Sequence, residues 1–471
     1  MVEFGSLING KEVTSGDWLE SHDPWTGEVI GRISIANWDE IDKALEIAHH
    51  AWLNPPPLSE RVDAANNVTE LIKEHQTDLV NLLIAETGKP YQFALGEVER
   101  LERTFRLASQ GGDFLNDENL DLSYDPRGKD FAGKWGRFAI GPVLGFVPYN
   151  WPLNLAAHKL APALIAGCPV VFKLSSLTPL SSYALCKLLI EGGVRKDFVC
   201  AFYASNELAQ QTLKDDRIKM LSFTGSPKVG WMLKSLVNKK KVLLELGGNA
   251  PVIVEPDADL RLAAQRSVIS GFGYAGQVCI SAQNVFVHAS VYDIFREITL
   301  EELQITVSGN PRNKNTINGP LIDENAKKKV VDMINNAVSL GATKHEAQAD
   351  EHPLLIPPTI LENVPETAPA FCEEIFGPVL TLNKYNNIDE LINKLNTGKY
   401  RLHASIFTSS NDTAEKCFRE LRYGGVVHNE SPSLRFDSMP YGGEGESGFG
   451  REGVRFAIEE MTVPKSFLWR K

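Results

Sequence analysis

Three residues stand out by type and by what surrounds them. Cys279 lies in Gly276-Gln277-Val278-Cys279-Ile280, just after the small-residue run Gly271-Phe272-Gly273-Tyr274-Ala275. Small residues let backbone and ligand approach closely, and a thiol reached in this way is a candidate nucleophile. A free thiol has a pKa of about 8.5, so it needs help to ionise. Taken alone, such a cysteine is more often a small core hydrophobe. Glu245 ends the apolar run Val242-Leu243-Leu244 and precedes Leu246-Gly247-Gly248-Asn249. A carboxylate there is costly unless paired or used, and desolvation raises its pKa towards that of a general base. A salt-bridged strand end is the alternative. Asn150, in Pro148-Tyr149-Asn150-Trp151-Pro152, carries an amide NH2 that can stabilise an oxyanion. A turn asparagine is the plainer reading of that residue by itself.

Phosphate and ribose contacts come next. Phe223-Thr224-Gly225-Ser226, followed by Gly230, reads as a strand-to-helix turn that sets a helix N-terminus on a pyrophosphate. It is not the GxGxxG fingerprint, so its weight is small. Lys173 and Ser175 follow another strand and reach a ribose or a phosphate, or else form an ordinary solvated strand end. Histidines are scattered with no metal-ligand spacing, so no metal is expected.

The elements that position these residues alternate between strand and helix. Strands are predicted at Val143 to Pro148, Val170 to Lys173, Lys219 to Phe223 and Val242 to Leu246. Helices are predicted within 60–87 (two of them), over Glu97 to Ala108, Pro152 to Ala166 and Ser181 to Ile190. Near-continuous apolar strands imply a sheet covered on both faces, with ligands at the carboxyl ends of its strands. Beyond Gly247-Gly248, strand signals at Pro251 to Val254 and Asn284 to Val287, and a helix through Ala326 to Val338, predict a second α/β unit. Lys134 to Ile140 and Met461 to Trp469 fit neither unit and are expected to pair as a small sheet, whose edge invites a partner chain. The division expected is 1–120 with 140–247 as a dinucleotide-binding domain, 248–440 as a catalytic domain, and 121–139 with 455–471 as a bridging segment.

Composition narrows the class. The chain has 471 residues, of which 43% are hydrophobic and 23% charged, and this is ordinary for a globular protein of two or three domains. Its net charge of −12 argues against nucleic acid or an anionic membrane as partner. No apolar stretch is long enough to span a bilayer, and Met1 to Ile8 lacks the basic and apolar regions of a signal peptide. The six cysteines include no Cys-x-x-Cys pair, and scattered thiols fit a reducing cytoplasm.

Together the motifs resemble the aldehyde dehydrogenase superfamily from end to end. Matching stretches are Asp23-Pro24-Trp25-Thr26-Gly27-Glu28, Glu86-Thr87-Gly88-Lys89-Pro90 and the segments around Asn150, Ser226, Glu245 and Cys279. The match continues through Glu373-Glu374-Ile375-Phe376-Gly377-Pro378-Val379 and Ser447-Gly448-Phe449-Gly450-Arg451-Glu452. The resemblance implies a Rossmann-like cofactor domain, a second α/β catalytic domain and a small bridging β-sheet, assembled as a homodimer or homotetramer. It implies NAD- or NADP-dependent oxidation of a small aldehyde to a carboxylic acid. Cys279 would be the nucleophile, Asn150 and the Cys279 N–H the oxyanion hole, and Glu245 the base that activates water. Coenzyme A-acylating relatives often lack that base. A catalytically silent scaffold, an acylating enzyme and a cysteine hydrolase remain the rival readings.

For the cofactor, the resemblance points to Val147, Pro148, Tyr149, Trp151, Lys173, Ser175, Ser176, Gly225, Ser226, Val229, Leu246, Glu374 and Phe376. Three positions depart from the pattern. Ser176 stands where NAD-specific members often carry a glutamate that repels a 2′-phosphate, which opens the site to NADP. Tyr203-Ala204-Ser205-Asn206 replaces a glycine-rich turn, and Gly445 replaces a common lysine. The stretches around Asn150 and Cys279 look like the lactaldehyde, succinate-semialdehyde and non-phosphorylating glyceraldehyde-phosphate branches. Many of their substrates are anionic, and Arg100, Arg103, His158 and Arg435 are the candidate counter-charges here. For Arg100 and Arg103, pairing with Glu97, Glu99 or Glu102 is the competing expectation.

Overall fold

Why the apolar runs are continuous is plain in the computed structural model, which describes residues 2–471. Val143–Phe146 and Met220–Thr224 are buried at every position, because helices cover both faces of their sheet. That sheet has eight strands, in the order Gly448–Phe449, Lys241–Glu245, Met220–Thr224, Val143–Phe146, Val170–Lys173, Val199–Phe202, Ser6–Ile8 and Lys11–Val13. The five middle strands are parallel. Chain order runs outward in one direction from Val143–Phe146 and in the other from Met220–Thr224. The switch point lies between these two strands, and a ligand crevice is expected beyond their carboxyl ends. Phe172 and Phe202 are wholly buried, each contributing about 1.5–3 kcal/mol through burial.

One helix sits so deep that it has no polar face. Asn154–Ala166 is buried along its whole length, His158 and Lys159 included. A buried lysine requires a partner, and this one finds it across the sheet, as described below.

A second sheet of seven strands begins after Gly248. Its core strands are Val379–Tyr385, Ala282–His288, Ala250–Val254 and His403–Phe407, all parallel. The helix Leu260–Phe272 crosses this sheet and leads into the loop that carries Cys279. A third sheet stands apart: Thr462–Arg470, Phe131–Ala139 and Glu118–Asn119, antiparallel throughout. The expected pairing of the two outlying segments therefore forms, in continuous register from Thr462 with Ala139 to Arg470 with Phe131.

One segment is divided differently from expectation, and the stretch 441–454, which that division leaves unassigned, is placed as well. The helix Val454–Glu460 buries Val454, Ala457 and Ile458 against Asn154–Ala166, so it belongs to the first unit and only Thr462–Arg470 joins the outlying sheet. Gly448–Phe449 returns to the first sheet, pairing Leu244 with Phe449 and Glu245 with Gly448. The C-terminal segment thus closes over Glu245 after the chain has left that unit. Among the described residues, no helix is long and apolar enough to cross a membrane, and no group of three metal-ligating side chains occurs.

Candidate active site

Cys279 sits where two clefts meet. One, of about 300 Å³, opens at the carboxyl ends of the first sheet and is lined by Pro148, Tyr149, Asn150, Gly225, Ser226, Glu245, Leu246, Glu374 and Phe376. The other, of about 270 Å³, faces the second unit. Asn150 and Cys279 belong to both.

The loop before Cys279 is strained and pinned. Tyr274, Ala275 and Gly276 take successive left-handed conformations, with φ of 52°, 53° and 65°. For a residue with a Cβ this costs about 1–2 kcal/mol. Gln277 holds the turn: its Oε1 accepts from Ile322 N at 3.0 Å and from Tyr149 Oη at 3.2 Å, while its Nε2 donates to the carbonyls of Tyr274 and Pro320. Gly248 packs so closely that a Cβ would stand 2.1 Å from the Cys279 carbonyl oxygen, which explains the glycine there. Phe376, with φ of 58°, is a third strained residue, and its ring meets Tyr149 edge-on across the first cleft.

Electrostatics separate the acids of the site. Glu245 is buried and neither of its carboxylate oxygens has a hydrogen-bond partner. Burial, reinforced by the charge of nearby Glu452, holds its carboxyl well above the usual range. Glu452 shows the opposite behaviour. Burial would raise its pKa, but Lys159 at 3.0 Å, nearby His158 and Arg435 at 3.4 Å hold it below the usual carboxylate range. Neighbouring carboxyls pushed apart in this way mark a site that can hold and release a proton. Burial also pushes the Cys279 thiol up to about 11, against the opposing pull of Tyr441, whose hydroxyl lies 3.0 Å from Sγ. Asn150 donates one amide hydrogen to the Gln277 carbonyl at 2.9 Å, leaving the other for a ligand.

The first cleft suits a dinucleotide. Lys173 is half-buried, lacks an acidic partner, and is lowered to about 8 by burial alone. Its ammonium lies 5.1 Å from the Tyr203 ring, and both residues stand at strand ends. Ser226 occupies the N-cap of the helix Pro227–Leu236, yet its hydroxyl makes no capping bond, so the helix amides are open to an anion. Glu374 accepts from Gly248 N at 2.8 Å, and burial raises its carboxyl to about 7. Ser176 is exposed beside Ser175, and no carboxylate stands at its position. Gly445 holds φ of 62° against the Lys399 carbonyl, a conformation that favours glycine over lysine.

Several expected residues fall elsewhere. Trp151 faces the second cleft, not the first, with the Lys89 ammonium 4.0 Å from its ring. Lys89 is held by buried Glu97, which also accepts from the amides of Leu153 and Asn154. Val147 is packed in the hydrophobic core and lines neither cleft. Val229 lies on the helix Pro227–Leu236, outside the cleft lining. Arg103 points to the outer surface, where Glu99 lies 3.9 Å away. His158 is buried with Nε2 2.9 Å from Asp437 and does not line either cleft. Arg100 escapes its expected glutamates: it binds Asp437 at 2.6 Å and lines the second cleft.

Arg435 lines the second cleft too, its guanidinium 3.6 Å from the Tyr441 ring centroid. Among the lining groups that sequence reasoning missed are Arg266, Ser270 and Tyr441. Arg266 and Ser270 share a face of the helix Leu260–Phe272, whose start is capped by Asp259. That cap, followed by helical spacing, is the signal that could have found them.

A partly accessible thiol and a buried carboxyl line one cleft at the carboxyl ends of a doubly wound parallel sheet. The chain belongs to the aldehyde dehydrogenase family, whose profile matches residues 12–467. A 3-sulfolactaldehyde dehydrogenase of Priestia aryabhattai is 34% identical over 461 residues, 98% of this chain and 96% of that one. Aldehyde dehydrogenase 21 of Physcomitrella patens, solved with the reaction product succinate, superposes with a TM-score of 0.95 at 36% identity, covering 100% of this chain and 98% of its own. The NADP-dependent glyceraldehyde-3-phosphate dehydrogenase of Bacillus halodurans, solved with NADP, gives 0.96 at 30% identity, covering 100% of both.

Proposed function

We propose that the protein oxidises a small anionic aldehyde to the carboxylic acid with NAD or NADP, through a covalent intermediate on Cys279. The observation that carries this is the meeting of two clefts at one thiol, with the unpartnered Glu245 carboxyl lining the first of them. The Cys279 thiol first loses its proton to solvent; Sγ then attacks the carbonyl carbon as the thiolate, and the oxygen that becomes negative is met by the free Asn150 N–H. Bound nicotinamide supplies a hydride acceptor. Loss of hydride from the carbon leaves a thioester on Cys279. Glu245, once ionised, takes a proton from water, the hydroxide attacks the thioester, and the acid departs as Glu245 returns that proton to the leaving sulfur and restores the thiol. Lys173, Ser175, Ser226 and Glu374 would hold the dinucleotide, with Phe376 beside it.

Charge on the second cleft supports an anionic substrate. Arg100, Arg266 and Arg435 all line it; Glu430, paired with Arg266 at 3.1 Å, is the only carboxylate among its lining residues, and Asp437 and Glu452, the partners of Arg100 and Arg435, lie behind the lining. The names of the relatives support the same reading, since sulfolactaldehyde is anionic and succinate is the product found in the moss enzyme. Purified protein assayed with matched neutral and anionic aldehydes should favour the anionic member. Arg100→Met should lower kcat/KM for the anionic aldehyde roughly 10–100-fold, the worth of a hydrogen bond to a charged group, and change the neutral one far less. Equal losses for both would remove Arg100 from substrate recognition.

Ser176→Glu should lower the NADP-to-NAD ratio of kcat/KM by at least about tenfold, because a carboxylate there repels the 2′-phosphate. An unchanged ratio would place the ribose elsewhere.

A further inference from the structure

We propose that Tyr441 is a further catalytic residue, donating its phenolic hydrogen to the Cys279 thiolate. This rests on the reading of Cys279 as nucleophile. The phenol oxygen lies 3.0 Å from Sγ, and the tyrosine is buried, 2% exposed. Its main chain is fixed on both sides, with N donating to and O accepting from Glu452. The ring is held between Arg435, 3.6 Å from its centroid, and the His403 ring at 5.2 Å.

Chemistry decides the direction of the bond. A thiol can donate to or accept from a phenol, but a thiolate has no hydrogen, so once Cys279 ionises only Tyr441 can donate. The Arg435 cation on the ring face draws electron density from the phenol and strengthens it as a donor. Burial holds the Tyr441 phenol well above its ordinary range, so it keeps its hydrogen while the thiol loses one. Other charged or titratable groups facing Cys279 are Glu374, Arg435 and Glu245, and His403 faces Tyr441. Two of these are acids that oppose ionisation, which leaves Tyr441 and Arg435 as the groups that favour it.

The test is the pH dependence of iodoacetamide alkylation of Cys279 in the full-length protein, followed by the mass of the Cys279 peptide. Tyr441→Phe keeps the ring and the Arg435 contact and removes only the hydroxyl. Its inflection should move up by about one pH unit, so that alkylation at pH 7.5 slows roughly tenfold. In a second protein, 3-fluorotyrosine in place of Tyr441 supplies a more acidic donor in the same shape, and the inflection should move down. Opposite shifts in the two proteins are the expected result. An unmoved inflection in either, including one where only the plateau rate falls, assigns the hydroxyl to packing or access and overturns the proposal. No turnover is required, so this outcome is separate from failure of the nucleophile reading, which Cys279→Ala tests.

Discussion

Cys279→Ala is expected to lose aldehyde oxidation by at least about a thousandfold, while cofactor binding is retained. The size follows from covalent catalysis: without Sγ no acyl intermediate forms, and hydride must leave an aldehyde with no electron-rich sulfur behind it. Retention of binding follows from geometry. Lys173, Ser175 and Ser226 belong to the first unit, whereas Cys279 lies on a loop of the second. The side chain is partly accessible and only a sulfur is lost, so little packing changes. Stopped-flow reduction of the nicotinamide and tryptophan quenching on cofactor addition check the two halves. Turnover within tenfold of the unmutated protein would remove Cys279 from the chemistry.

The second large effect is expected at Glu245. Glu245→Gln keeps the shape of the side chain and removes its capacity to take a proton. Acylation should persist and deacylation should fall by about 10²–10⁴-fold, so nicotinamide is reduced once per site and then stalls. In the unmutated protein the sign with pH follows from the raised carboxyl. Below its folded pKa, Glu245 is protonated and cannot accept from water. Deacylation therefore rises with pH until the carboxyl is ionised. The glutamine variant should lack that rising limb. Full steady turnover by Glu245→Gln with the limb intact would assign the base elsewhere.

How much of this was legible in the sequence depends on the range of the interactions. Strands such as Val143–Phe146 and Met220–Thr224 announce themselves because burial on both faces leaves an unbroken apolar run. Cys279, Glu245 and Asn150 were legible through local motifs, and the structure gathers them around one cleft. Tyr441 was not legible as a partner of Cys279, since 162 residues separate them and only the fold brings them together. The partner of Arg100 was illegible for a related reason. Helical spacing nominates nearby glutamates, but its partner Asp437 lies 337 residues away. Trp151 was assigned to the wrong cleft because adjacent residues on a tight turn face opposite ways, and sequence proximity to Asn150 does not say which. The helix Val454–Glu460 was placed with the outlying strand because its apolar face gives no hint of which unit it covers.

The most direct test of the account is the mass of the Cys279 peptide after acid quench during turnover with a paired aldehyde and cofactor. The account predicts an adduct equal to the aldehyde less two hydrogens, the mass of a thioester, and its accumulation in Glu245→Gln. Reduced nicotinamide building up while Cys279 stays unmodified in both proteins would contradict it.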